Sequence, residues 1–89
     1  MITNKLLELQ PHDNQKSYYG KAKVHINDNM YTLYSYDTRI CTVANGKLYR
    51  HWGGYTATTM RHIKSFLVIT RQPGGGKKWW DSLPIEEVG

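Results

Sequence analysis

The pattern of polar and apolar positions predicts two kinds of element, separated at Gly53-Gly54. Residues 17–27 alternate lysine or histidine with Ala22, Val24 and Ile26, and a period of two is typical of a half-buried β-strand. Runs rich in aromatic and β-branched residues follow over 30–36, 39–44 and 47–52. We therefore predict four consecutive strands before the two glycines.

Short polar segments between these runs predict tight turns. Asp28-Asn29 supplies turn chemistry after the first run, and Asp37-Thr38 is a polar break after the second. Asn45-Gly46 separates the last two runs, and this dipeptide is a strong hairpin signal because both central residues of a type I′ turn need φ > 0. The strands are therefore expected to form an antiparallel meander.

Residues 56–71 change to the period of a helix. Thr56 suits the N-cap, where its hydroxyl can accept a backbone N–H, and Tyr55 can then pack on Met60 as a hydrophobic staple. The apolar positions at helical spacing are Met60, Ile63, Phe66 and Leu67. We predict an α-helix over about 56–71 that packs on one face of the sheet, which gives an α+β fold.

Pro73 and the three glycines behind it end this helix and predict a flexible linker. The tail that follows contains Trp79 and Trp80, and could form one helical turn and dock. We divide the chain into an N-terminal extension (1–15), a core (16–72) and a Gly-rich linker with a Trp-containing tail (73–89). With 89 residues the chain is too short for a second core, so it is one domain.

The single cysteine, Cys41, argues against a disulfide framework or a multi-cysteine zinc site. The N-terminal residues lack the apolar run of a signal peptide, and the longest apolar run, 66–69, is far too short to span a membrane. We therefore expect a soluble cytoplasmic protein without a membrane partner.

The net charge of +5 is concentrated in one part of the sequence. Residues 38–80 contain eight lysines or arginines and no acidic residue, and the negative charges return only at Asp81, Glu86 and Glu87. Such a stretch attracts polyanions or acidic protein surfaces if the fold brings its charges together. The alternative is solubilising charge that is scattered over several faces.

The predicted sheet combines tyrosines with basic residues. Aromatic side chains on a basic sheet can stack on unpaired bases, and tyrosine, tryptophan and arginine are also frequent energetic centres of protein interfaces. The alternative is that many of them form the core. The candidate binding residues are Arg39, Lys47, Arg50 and Trp52 on the sheet, Arg61 and Lys64 on the helix, and Trp79 and Trp80 in the tail. The two tail tryptophans either anchor in a partner's pocket or fold back onto the sheet.

The start of the predicted helix is a candidate anion site. A glycine turn that leads into a helix leaves backbone N–H groups free at the positive end of the dipole. The candidate residues are Gly54, Thr56, Thr58 and Thr59. The segment does not match a phosphate-binding P-loop, and the alternative is simply a capped helix after a tight turn.

The residues offer little support for catalysis. Cys41 lies in the middle of a predicted strand, where burial would keep its thiol unreactive. The four histidines show neither an i, i+4 pair nor a Cys-x-x-Cys partner, so no zinc site is predicted. We predict no catalytic residue, no metal and no cofactor.

Four segments resemble a family of small uncharacterised proteins that is common in phages and mobile elements of Gram-positive bacteria. They are 17–24 (SYYGKAKV), 33–38 (LYSYDT), 45–47 (NGK) and 52–66 (WGGYTATTMRHIKSF). The most specific parts are the spacings Ser-Tyr-x-Thr and Tyr-x-x-Thr-Thr-x-Arg-His-Ile. The resemblance implies no known activity, but it implies a mobile-element gene that acts in the cytoplasm of a bacterial host.

The same motifs suggest a polar cluster between a strand end and the helix start. We expect these side chains to hydrogen-bond to one another and fix how the helix docks, with a shared binding pocket as the alternative. The members are Ser35, Thr38, Thr58, Thr59, Arg61 and His62.

Two classes of function remain open from the sequence. One is a non-catalytic binder of a host protein or nucleoprotein complex, such as an inhibitor of a CRISPR nuclease that occludes a surface of its target. The other is a small basic accessory protein that binds nucleic acid. Eight basic residues spread over several elements give only a few simultaneous phosphate contacts, which favours the first class. The oligomeric state stays open.

Overall fold

The computed structural model describes residues 4–11, 18 and 20–88, which form one antiparallel sheet and two helices. The elements are β1 (Asn4–Glu8), β2 (Ala22–Asn27), β3 (Met30–Ser35), β4 (Thr38–Ala44), β5 (Lys47–Arg50), α1 (Ala57–Thr70) and α2 (Lys77–Ser82). The strands lie in the order β1-β2-β3-β4-β5, and every neighbouring pair is antiparallel. The predicted α+β fold with an antiparallel meander is confirmed, whereas the predicted numbers of strands and helices are wrong.

The fifth strand is β1, which lies within the predicted N-terminal extension. Its residues pair with β2 from Asn4 opposite Asn27 to Glu8 opposite Lys23. The alternation signal is weak here because Leu6 and Leu7 are adjacent, so one of them points to each face. The other residues of that extension, 1–3 and 12–15, lie outside the described part of the chain, as do Ser17 and Tyr19 of the first predicted strand.

The β4–β5 hairpin turn follows from residues that tolerate positive φ. Asn45 and Gly46 have φ of 54° and 77°, which confirms the predicted type I′ geometry. Between β3 and β4 the turn is Tyr36-Asp37 rather than Asp37-Thr38, since Ser35 pairs directly with Thr38. A bulge shifts the register between Leu33 and Tyr34, which moves the turn by one residue.

The helix α1 agrees with the prediction to within one residue at each end. Thr56 is the N-cap, and its side-chain oxygen accepts the Thr59 backbone N–H at 3.0 Å. At the other end Arg71 adopts a left-handed conformation with φ of 56°, and its N–H bonds to the carbonyls of Leu67 and Val68. Local capping therefore fixes both ends of α1.

The tail contains the second helix, α2, at the place where one helical turn was expected as a possibility, so the predicted count of a single helix is wrong. A side chain at Gly74 would overlap Leu67, because a Cβ at this position would lie 2.4 Å from Leu67 Cδ1. The glycine segment is therefore closely apposed to α1 and is more than a spacer. Beyond α2 the chain returns to the sheet, where Ile85 forms a parallel bridge with Arg50.

The core lies between one face of the sheet and the two helices. Its largest fully buried side chains include Trp80, Phe66, Leu33, Ile40 and Ile63. Trp80 supplies volume that the sheet and α1 do not, in a chain with only one phenylalanine. The opposite face of the sheet is covered by neither helix.

Candidate interaction surface

The covered face of the sheet is fixed to α1 by buried hydrogen bonds as well as by apolar packing. Ser35 Oγ lies 2.9 Å from His62 Nδ1 and 3.4 Å from Thr59 Oγ1. Tyr18 Oη lies 2.6 Å from Ser65 Oγ and donates to the Arg61 carbonyl at 3.2 Å. These contacts bring together part of the predicted polar cluster, with its strand end facing its helix start.

Two members of the predicted cluster are not brought into it. Thr38 and Thr58 are exposed, and Arg61 takes part through its backbone carbonyl. Tyr18 takes their place, with its ring 4.4 Å from that of His62 in an edge-on arrangement. The sequence could not assign Tyr18 to the helix, because the partners Arg61 and Ser65 lie more than forty positions away.

The Ser35–His62 pair resembles the first two members of a hydrolytic triad, but its setting is that of a structural contact. Both residues are buried, with 2% and 1% of their surface exposed, so a substrate cannot reach the hydroxyl. Burial, with the positive charges of Arg61 and Lys21, lowers the pKa of His62 below its usual value. His62 is therefore neutral near pH 7 and acts in the docking of α1.

The other chemically reactive groups are also enclosed or dispersed. Cys41 is fully buried, and desolvation raises the pKa of its thiol far above the usual range. Within the described residues, no three His, Cys, Asp or Glu side chains are placed to hold one metal ion.

The face of the sheet that neither helix covers, here called the open face, carries basic and aromatic side chains, and at its centre Thr32 and Thr42 are buried beneath His51 and the C-terminal segment. In β2 the residues Lys23 and His25 alternate with the buried Ala22 and Val24, so they point away from α1. The cross-strand partners of Lys23 and His25 on β3 are Tyr34 and Thr32. The face continues across β4 and β5 through Arg39, Thr42, Lys47 and Tyr49.

The open face contains a shallow pocket of 330 Å³ near β1. It is lined by Leu6, Lys23, His25, Tyr34 and Asp37. The first four come from three neighbouring strands, and their side chains are exposed or half-buried. The pocket therefore offers an aromatic ring and a lysine side by side on a rigid support.

Hydrogen bonds stiffen the centre of the open face. Thr32 and Thr42 hydroxyls lie 3.0 Å apart, and Thr42 Oγ1 lies 2.8 Å from His51 Nε2. His51 Nδ1 lies 2.9 Å from the Glu86 carbonyl, which can only accept. The Nδ1–H tautomer is therefore the one that satisfies both contacts, and it fixes the imidazole between β4 and the C-terminal segment.

Acidic residues of the C-terminal segment neutralise two predicted binding residues. Glu87 accepts from Arg39 at 2.6 Å, and the pKa of Glu87 is lowered by this contact. Glu86 lies 3.4 Å from Lys47 Nζ. These pairs are exposed, so they alter the charge that a partner meets more than the stability of the fold.

Arg50 has a structural position rather than a surface one. It is 5% exposed, and its guanidinium donates to the carbonyls of Trp52, Trp80 and Leu83 at 2.8 to 3.1 Å. It also lies 4.7 Å from the centre of the Trp80 ring. Arg50 therefore ties α2 and its exit to the sheet and is not presented to a partner.

The three tryptophans also belong to the interior or its margin. Trp80 is fully buried, and its indole N–H donates to the Gly54 carbonyl at 2.9 Å. Trp52 and Trp79 are half-buried and pack against the core. Of the two alternatives for the tail, the structure shows the one in which it folds back: α2 docks beside α1, and the residues after α2 reach the open face through Glu86 and Glu87.

The helix start uses most of its candidate groups internally. Gly54 allows a close approach, since a Cβ there would lie 2.5 Å from the Trp52 ring. Thr56 caps α1, and Thr59 is buried against Ser35. Thr58 alone of the four is exposed without such a structural contact described. The four residues therefore form a capped turn in which Thr56 and Thr59 are engaged internally.

The outward face of α1 displays the remaining predicted residues. Arg61 and Lys64 are exposed one turn apart, followed by Val68 with 60% of its surface exposed. The helix contains no acidic residue. Its outward face is basic and carries no aromatic side chain, in contrast to the open face on the other side of the molecule.

Residues 7–82 match a protein family of unknown function (DUF8033), and the chain belongs to that family. The match covers β1 to α2 except the first three residues of β1. A comparison with curated proteins finds no match, and a comparison with solved structures finds none either. In the described part of the chain, neither helix has the length and apolar character needed to cross a bilayer.

Proposed function

We propose that this protein is a non-catalytic binding protein that occupies a surface of a larger partner through the open face. The observation that carries the proposal is the pocket lined by Leu6, Lys23, His25, Tyr34 and Asp37, set in a sheet face that neither helix covers. The resemblance to mobile-element proteins supports a host protein or nucleoprotein complex as the partner. Occlusion of a defence complex, in the manner of an anti-CRISPR protein, is the specific form proposed.

The composition of the open face favours a protein partner. Tyrosine and arginine are enriched among residues whose loss weakens protein complexes, and lysine stems can pack beside a ring. Lys47 Nζ, for example, lies 4.7 Å from the centre of the Tyr49 ring. A rigid, half-buried aromatic side chain loses little conformational entropy on binding, which suits Tyr34 and Tyr49 to this role.

The charge distribution argues against tight binding of free nucleic acid. Of the eight basic residues in 38–80, Arg50 is buried, Arg39 and Lys47 pair with glutamates, and Lys77 pairs with Asp81 at 2.6 Å. Affinity for nucleic acid rises with the number of phosphates neutralised at once. The small basic nucleic-acid-binding protein is therefore the weaker alternative.

Affinity capture with matched variants tests the proposal. Immobilised protein is exposed to lysate of a bacterial host, and the bound proteins are quantified. The proteins compared are wild type and the variants Lys23→Glu/Tyr34→Ser, Arg61→Glu/Lys64→Glu and Lys78→Glu. We expect one captured partner to bind Lys23→Glu/Tyr34→Ser at least tenfold more weakly than wild type, and to bind the other two variants as wild type. Calorimetry with the purified partner measures these affinities. Loss of the partner only with Arg61→Glu/Lys64→Glu would show that the interface lies on the outward face of α1 and not on the open face.

Fluorescence polarisation with labelled single- and double-stranded DNA and RNA separates the two classes. We expect weak binding at ~50 mM salt that disappears at physiological salt, because few phosphates are contacted. Tight binding that persists at physiological salt and is abolished by Lys23→Glu/Tyr34→Ser would contradict the protein-partner proposal and support direct recognition of nucleic acid.

A further inference from the structure

The outer edge of β1 ends the described sheet and has an unusual composition for an edge strand. Leu6 and Leu7 expose 59% and 49% of their surface, one on each face of the sheet. Exposed edges are commonly protected by charge, proline or a bulge. Lys5 and Glu8 place one charge on each side of the two leucines, but Leu6 and Leu7 at the centre of β1 carry none of these devices, so the centre of the strand can accept a further strand beside it.

The pattern of hydrogen bonds between β1 and β2 shows which backbone groups of β1 face outward. Leu9 N–H donates to the Ala22 carbonyl at 2.9 Å, so Leu9 and Ala22 form a hydrogen-bonded pair. Such pairs alternate along an antiparallel ladder, and Leu7 therefore also points its backbone groups at β2. Leu6, opposite His25 in a non-hydrogen-bonded pair, points its N–H and carbonyl to the outer edge.

We infer that β1 pairs antiparallel with β1 of a second copy of this chain, with Leu6 opposite Leu6 on a two-fold axis. In this register both outward-facing Leu6 residues exchange N–H···O=C bonds, as a hydrogen-bonded pair requires. Residues on one face of the sheet meet residues on the same face of the other copy. Leu7 then lies opposite Lys5, whose stem can cover it.

The two-fold axis stands perpendicular to the sheet, so the two open faces join on one side of a ten-stranded sheet. The row that begins with Leu6 and His25 in one copy continues directly into Leu6 and His25 of the other. The inference is argued from the edge of β1 and its test measures self-association alone, although Leu6 also lines the pocket of the proposed function. If both hold, the dimer presents two binding surfaces to one partner, which raises its apparent affinity.

The pairing is expected to be weak. Five residues of each β1 form the contact, against about 20–30 on each side of a standard interface. A monomer–dimer equilibrium that depends on concentration is therefore the expected behaviour. Two-fold symmetry makes it a closed dimer, because the same edge of each copy is used up in the contact.

Sedimentation velocity over a concentration series up to about 1 mM tests the inference, since this range detects even a very weak association. Leu6→Lys places two lysines opposite each other on the axis, and Leu6→Pro removes the outward N–H while leaving the β2 ladder. Val68→Lys is the matched control, because Val68 is exposed to the same extent on α1. We expect wild type and Val68→Lys to dimerise and both Leu6 variants to stay monomeric, with thermal unfolding verifying the fold of each.

A register-specific cross-link provides the second measurement. Leu6→Cys is expected to form an intermolecular disulfide on mild oxidation, and Val68→Cys is expected to form far less. A wild-type chain that remains monomeric throughout the series overturns the inference. A dimer that both Leu6 variants retain also overturns it, because the contact then lies elsewhere.

Discussion

Single residues decide which of the predicted binding groups a partner can reach. Arg39, Lys47 and Arg50 look equivalent in the sequence, yet two are exposed and paired with glutamates while Arg50 is buried under α2. A sequence pattern locates basic residues on a strand, but the difference here depends on Glu86 and Glu87, which lie more than thirty positions away. The sequence neighbours of a residue indicate which face of the sheet it lies on, but they do not indicate which distant residue it pairs with.

The stability of the protein is expected to fall when His62 is protonated. Its pKa in the folded state is lowered, whereas the unfolded chain titrates at about 6.5. Below that value the unfolded state binds the extra proton first, so the free energy of unfolding decreases with falling pH and levels off below the folded-state pKa. The loss is at most about 1.4 kcal/mol per pH unit.

Thermal unfolding of wild type and His62→Asn at pH 5 and pH 7.5 measures this effect. Asparagine retains a polar atom near the position of Nδ1 and does not titrate. We expect a smaller change of Tm with pH in the variant than in wild type. Equal changes in the two proteins would show that other groups cause the pH dependence.

Arg50→Met is expected to lower the free energy of unfolding by about 3 kcal/mol, because three buried or half-buried carbonyls lose their donor. The control Arg39→Met removes an exposed ion pair and should cost less than about 1 kcal/mol. Urea denaturation measures both. Similar losses for the two variants would mean that the Arg50 contacts contribute little.

At the scale of elements, the sequence predicts best where one local signal is sufficient. Alternation in β2, the Asn45-Gly46 turn and the capped start of α1 each depend on neighbouring residues, and each is present in the structure. The prediction lacks β1 and gives α2 only as a possible helical turn, because both are stabilised by distant contacts, with β2 and with Arg50. A five-residue strand and a six-residue helix have too little local propensity to be predicted alone.

Thr56→Ala should destabilise the protein by about 1 kcal/mol, because it removes the side-chain cap of α1. Thr58→Ala is the matched control, since Thr58 is exposed in the first turn and alanine is the better helix former. Urea titrations of the two variants measure the difference. Equal stability of the two would contradict the capping role of Thr56.

At the scale of the whole molecule, the C-terminal segment closes the structure and masks charge on the open face. Glu87 reaches Arg39 and Glu86 reaches Lys47, so the surface near β5 is less positive than the net charge of +5 suggests. The concentration of basic residues in 38–80 is evident from the sequence. The charge of the folded surface is not evident from the sequence, since it depends on where the last residues of the chain fold.

Glu87→Gln should strengthen binding to a polyanion more than an equal charge change elsewhere. The variant frees Arg39, whereas the control Asp28→Asn adds the same charge at the exposed β2–β3 turn. Elution from a heparin column in a salt gradient measures the difference, and we expect Glu87→Gln to elute later. Identical elution of both variants would mean that only net charge matters.

In-cell photo-crosslinking tests the central claim, that the open face is the contact surface, most directly. The crosslinking amino acid p-benzoylphenylalanine replaces Tyr34 or Tyr49 on the open face and, as controls, Tyr55 or Val68 elsewhere on the surface, in protein expressed in a bacterial host. The account predicts a discrete crosslinked partner from both open-face positions and from neither control. Crosslinks from Tyr55 or Val68 with none from Tyr34 and Tyr49 would contradict it.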